Sequence, residues 1–117
     1  MPHPSYKDHP LWKEAMGLVE EAYALAEKVR DTEPLVSRHL RKAAVAVPAN
    51  IAESLDEERG DERSESHLRA RGALAEIERQ TQMLPEELSE PGAELAGRAR
   101  RLFWQMGSVK RGVRSEE

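Results

Sequence analysis

The sequence predicts an all-α fold, an antiparallel up-down-up-down four-helix bundle, and three observations carry that reading. Ala, Leu, Glu and Arg dominate the composition and are good helix formers, whereas strand-favouring aromatics are limited to Tyr6, Trp12, Tyr23, Phe103 and Trp104. Apolar residues recur at alternating steps of four and three in four successive segments. Short breaks bearing proline or glycine separate those segments, which favours antiparallel neighbours. A length of 117 residues fits one domain, and residues 1–117 are read as one.

Each element follows from its own signals. Pro2 and Pro4 mark an extended lead-in, and residues 1–7 are expected to be flexible. The first helix is expected over about residues 9–30, with Asp8 as N-cap and Pro10 tolerated in the first turn. Its stripe is Leu11, Ala15, Leu18, Ala22, Leu25 and Val29, and residues 31–34 break it. The second helix is expected over 34–59, with the stripe Val36, Leu40, Ala43, Val47, Ile51 and Leu55 and with Gly60 as terminator. The third is expected over 61–84 on Ala70, Leu74, Ile77, Thr81 and Leu84, with Ala73 beside them. Gly72 either weakens that helix or admits a close neighbour. Pro85 and Pro91 bracket the next connection. The fourth helix is expected over 91–110 on Leu95, Ala99, Leu102 and Met106. Gly107 and Gly112 leave its extension through Val109 and Val113 open, and residues 113–117 are expected to be flexible. Met16, Met83 and Met106 read as core filler.

Several function classes fall away. With no cysteine, a disulfide framework and thiolate zinc sites are excluded. No apolar run approaches the roughly 20 residues of a membrane span, and no secretory signal is visible, so a cytoplasmic setting without a membrane partner is expected. His3, His9, His39 and His67 are scattered without ligand spacing and read as surface residues. Glu76 and Glu78, two apart on a helix, do not face each other as an acid/base pair. Glu76 is instead expected to pair across helices, for example with Arg41 or Lys42. Neither a catalytic triad nor a phosphate-cradling loop is evident, so no enzyme, metal or cofactor is expected.

The second helix is unusual. Residues 43–52 hold one polar side chain, Asn50. At 100° per residue, Val36, Leu40, Ala43, Val47 and Ile51 lie on one side, and Val45, Ala49 and Ala52 lie almost opposite. A helix of a lone bundle needs one apolar stripe, so the second patch points to burial against another subunit. The plain alternative is that alanine is a good helix former and some apolar surface is always exposed. Pro48 removes the bond to the Ala44 carbonyl at a cost of about 3 kcal/mol, and a kink is expected there. Asn50 is expected to bond the freed backbone or a partner chain.

Residues 40–53, from Leu40-Arg41-Lys42 through the alanine-rich run to Pro48-Ala49-Asn50-Ile51-Ala52-Glu53, resemble the signature of the four-helix-bundle proteins encoded in bacterial 23S rRNA intervening sequences. That family includes the accessory variability determinant of diversity-generating retroelements. Tyr6-Lys7-Asp8 with Leu11-Trp12-Lys13-Glu14-Ala15 looks like the family's opening, and residues 73–78 look like its third-helix motif. The resemblance covers residues 6–84; the fourth helix agrees only in pattern. Ser54 stands where glycine is usual, and residues 55–65 are unusually acidic. The resemblance implies a homopentameric ring. For the retroelement member it further implies nucleic acid and a reverse transcriptase as partners. Most other members have no established function.

Net charge is −4, which does not itself predict nucleic acid, but charge is uneven. Residues 53–66 carry seven acids and two arginines, and residues 98–115 carry six basic residues and no acid. Mutual neutralisation is the simplest account, since both stretches lie at one end of an up-down bundle. A sharper reading places Arg100, Trp104 and Arg111 on one face of the fourth helix, suited to phosphates and stacked bases. Arg38, Arg41 and Lys42 form a second basic cluster on the outward side of the second helix. Trp104 could instead pack against a neighbouring subunit, as Val45, Ala49 and Ala52 are also expected to do. The leading expectation is a non-catalytic oligomeric binding or scaffold protein. The alternative is an RNA- or DNA-binding accessory factor that could partner a reverse transcriptase.

Overall fold

The computed structural model describes residues 5–56 and 65–114, with side-chain surroundings for 5–55 and 65–107. Four α-helices follow one another: α1 (Pro10–Lys28), α2 (Pro34–Asp56), α3 (Glu65–Thr81) and α4 (Ser89–Arg114). Single 3-10 turns precede α1 at Tyr6–Asp8 and α4 at Glu86–Leu88. The described residues contain no strand. Packing runs α1 on α2, α2 on α3, α3 on α4 and α4 back on α1, with no diagonal pair in contact among the described residues, so the helices form a closed antiparallel square.

The stripes read from the sequence meet at its centre. Leu18, Leu25, Leu40, Val47, Ile51, Leu74, Ile77, Leu95, Leu102 and Met106 are buried together, with the small Ala15, Ala22, Ala44, Ala70 and Ala99 between them. Leu11, Leu55, Ala73 and Leu84 are only partly buried and pack against the rim. Alternation of large and small side chains lets the helices interdigitate at interior density.

The chain departs from expectation at several element ends. Asp8 is not the N-cap of α1: it lies in the first 3-10 turn, and His9 caps the helix by accepting the Leu11 N–H at 3.1 Å on Nδ1. Residues 5–7 are accordingly ordered, with Ser5 capping the turn and the Tyr6 ring edge-on to Trp12 at 5.5 Å. His9 is therefore a structural residue rather than part of a loose lead-in. Val29 is the C-cap of α1, so the helix stops just short of residue 30. The third helix ends at Thr81, three residues early, because Gln82, Met83 and Leu84 donate to carbonyls three residues back and tighten the last turn. Met83 consequently points outward at 64% exposure and is not core filler. Pro91 lies inside the first turn of α4, where a missing N–H costs nothing, so that helix begins at Ser89. It continues through Gly107 and Gly112 to Arg114, beyond the expected end. His67 is buried rather than at the surface, on the inward side of α3 near Ala70. Around Gly72 an added Cβ would meet nothing among the described residues, so none of them exploits that glycine. The expected terminator Gly60 and most of the acidic stretch lie outside the described residues, as do residues 1–4 and 115–117.

Candidate functional site

On α2, the inner face is closed off by the core and the opposite face is open. Val45 is 43% exposed and Ala49 is exposed, while Ala52 is half-buried. Helical spacing puts Val45, Ala49 and Glu53 in one i, i+4 ridge, with Ala46 alongside. Arg38, Arg41 and Lys42 are exposed toward the N-terminal half of the same helix. Arg41 donates to the Ser37 carbonyl at 3.3 Å, and none of the three has an acidic partner among the described residues. The helix passes through Pro48. The Asn50 amide donates to the Ala46 carbonyl at 2.8 Å, not to the Ala44 carbonyl that Pro48 leaves free.

Glu76 does not reach Arg41 or Lys42. It pairs within its own helix, accepting from Gln80 at 2.7 Å and from Arg79 at 2.6 Å. Those hydrogen bonds, Gln80 first and Arg79 second, hold its carboxyl below the usual carboxylate range. Gln80 in turn lies 3.4 Å from His39 Nδ1, joining α3 to α2.

The basic residues of α4 divide three ways. Arg98 turns inward across the α1 seam, 28% exposed, and donates to Glu14 and Glu21, each at 3.0 Å. Partial burial works against its charge, and the hydrogen bonds it donates to Glu21 and Glu14 outweigh that effect and raise its pKa. Gly17 leaves room for this clasp, since a Cβ there would collide with the Arg98 guanidinium. Arg100 donates to Glu78 of α3 at 2.8 Å, so its charge is already compensated. Arg101 is exposed and has no acidic partner among the described residues. Arg71 of α3 stacks over the Phe103 ring at 3.9 Å and braces the opposite flank of α4. Arg111 lies within α4, but its side chain is outside the described set.

Trp104 is 52% exposed and, with Leu11, lines an open groove of about 740 Å³ between the start of α1 and the outer half of α4. Arg100, Arg101 and Gln105 edge that groove. Sequence reasoning found Trp104 and Arg100 but missed Leu11 and Arg101, because Leu11 belongs to a core stripe and only packing shows that this stripe runs out at the bundle's end. It also counted Arg98 among the basic residues of the stretch 98–115 without naming its partners. The one sequence signal for its inward turn is Gly17 flanked by Glu14 and Glu21 on α1. Among the described residues, no group of three or more His, Asp or Glu converges as a metal site, and no helix is long and apolar enough to cross a membrane.

A family model described as 23S rRNA-intervening sequence protein matches residues 7–88, from the turn before α1 to the turn before α4. No curated protein and no solved structure matches the chain.

Proposed function

The chain belongs to the 23S rRNA-intervening sequence protein family, and from that premise we propose that it is a non-catalytic, self-assembling binding or scaffold protein of the cytoplasm. One observation carries the reading: Val45 and Ala49 leave an apolar patch in water at the middle of α2, on the side away from a core that is already complete. A second copy of the chain is the partner that removes this surface from water in every molecule at once. The family resemblance favours a closed ring of five. Light scattering after size exclusion tests the reading: an oligomer at micromolar concentration is expected, and a 13.2 kDa monomer would sink it.

A second reading has its own support. Arg38, Arg41 and Lys42 are exposed cations without acidic neighbours among the described residues, and a ring would repeat them into a wider positive field. On this reading the protein is an accessory factor that binds RNA or DNA, and a reverse transcriptase would be its protein partner. Mobility-shift titrations on structured RNA and DNA test it. Binding that weakens steeply with salt, and weakens again in Arg41→Ala, is expected; no binding in low salt excludes it.

A further inference from the structure

We propose that Arg71, on the seam between α3 and α4, anchors a phosphate group. The site goes beyond both readings above, since it needs neither assembly nor the cations of α2.

Arg71 is a cation held in place without a counter-ion. Two arginines are partly buried among the described residues, Arg98 and Arg71. Arg98 donates to two carboxylates. Arg71 has no acidic partner among the described residues, and its buried Nε meets no hydrogen-bond acceptor there. Partly buried charges are ordinarily paired, because lost hydration has to be replaced. One face of this guanidinium lies on the Phe103 ring, 3.9 Å from its centroid. The ring attracts the cation but offers its N–H groups no oxygen.

Two residues of α4 serve that placement. Gly107 leaves the space that the guanidinium takes, since a Cβ there would come within 3.1 Å of it. Glycine is unfavourable inside a helix, so its position opposite Arg71 has a steric use. Phe103, one turn earlier, supplies the platform. Stacking fixes the plane of the guanidinium fork. A fixed fork meets two oxygens of a phosphate with little further ordering.

The surroundings are cationic. Helix α4 continues past Gly107 to Arg114, and Lys110, Arg111 and Arg114 follow that glycine at three, four and seven residues. Helical spacing puts those positions on the face of α4 against which Arg71 lies. Residues 98–115 contain no acid. Several like charges on one face suit an ion, or a chain, that carries more than one negative charge, as phosphates do. The site is also separate from the α2 cations. Gln80 of α3 stands level with His39 of α2, and Arg71 lies nine residues back along α3, about 13 Å down the axis.

Nuclear magnetic resonance of arginine-labelled protein tests the site. The Arg71 Nε–H signal, displaced by the Phe103 ring current, is identified by its loss in Arg71→Lys. It is expected to move saturably with inorganic phosphate and little with acetate at equal ionic strength. A short single-stranded RNA with hydroxyl ends separates the sources. A shift with RNA as well assigns the site to a polynucleotide backbone, and a shift with inorganic phosphate alone assigns it to free phosphate. In the first case Arg71→Met, which keeps the contact with Phe103, is expected to weaken RNA binding about tenfold and to remove about one phosphate contact from its salt dependence. Phe103→Leu keeps the charge, removes the platform, and is expected to weaken the phosphate response several-fold. An Arg71 signal that moves with neither phosphate nor RNA in the folded wild type overturns the proposal without any variant. An equal response to acetate overturns the assignment to phosphate. RNA binding that weakens in Arg41→Ala, while the Arg71 signal is still with both ligands, removes this site and leaves the α2 reading standing.

Discussion

Arg98 ties α1 to α4 by a contact that depends on three residues at once. Its guanidinium bridges two carboxylates seven residues apart on α1 and lies over the glycine between them. Because the partners are partly solvated, the clasp is worth on the order of 1 kcal/mol, and Arg98→Met is expected to lower stability in urea by about that amount. Gly17→Ala should be close to neutral although alanine is the better helix former by about 1 kcal/mol, since its methyl group displaces the arginine and forfeits the clasp. A double-mutant cycle checks the shared cause: Arg98→Met should cost little once Gly17→Ala is present. Glu76 gives a pH signature. Folding lowers its pKa, so its contribution is complete above the ordinary carboxylate value and is lost as pH falls through the folded value. Glu76→Gln is expected to destabilise by roughly 0.3–0.5 kcal/mol at neutral pH, a gap that closes in acid. Urea melts of both proteins at neutral and acidic pH would show it, and a gap independent of pH would contradict it.

Individual helices differ in how much freedom they retain. On α2 the inner face tolerates little: Leu40 is fully buried, and Leu40→Ala is expected to cost about 2–5 kcal/mol by leaving a cavity. On α3 the outer face is slack. A methyl group at Gly72 meets open space, so Gly72→Ala is expected to stabilise by about 1 kcal/mol. Gly107 on α4 provides the contrast, because there a Cβ comes within 3.1 Å of the Arg71 guanidinium that stacks on Phe103. Gly107→Ala should therefore gain less than Gly72→Ala in thermal melts, and an equal gain would mean that Arg71 is not held. The order of these effects follows from what each side chain would touch, not from helix propensity, which is the same for both glycines.

Across the whole molecule, a complete core coexists with an exposed apolar ridge on α2 and an open groove between α1 and α4. Much of this was legible in the sequence. Alternating steps of four and three suffice to place Leu18, Leu40, Val47, Leu74 and Leu102 inward, because a helix turns by a fixed angle per residue. The same angle sets Val45 and Ala49 on the outward side of α2, and the run around Pro48 and Asn50 carries the family resemblance. Termini of elements were less legible. The cap passed from Asp8 to His9, and α3 ended at Thr81 with Met83 turned outward, because local hydrogen bonds of comparable strength compete at helix ends. Partners across helices were least legible: sequence reasoning sent Glu76 toward α2, whereas the fold pairs it within α3, and it named no partner for Arg98, which the fold joins to Glu14 and Glu21 of α1. By itself, then, the sequence determined four amphipathic helices, their order, and an α2 apolar on two sides, since these depend on periodicity alone. Only the tertiary structure decided that Glu14 and Glu21 would be the acids that neutralise Arg98 and that Leu11 would join Trp104 in a groove. Those relations depend on how neighbouring helices are aligned, and that alignment is set by packing between segments far apart in the chain.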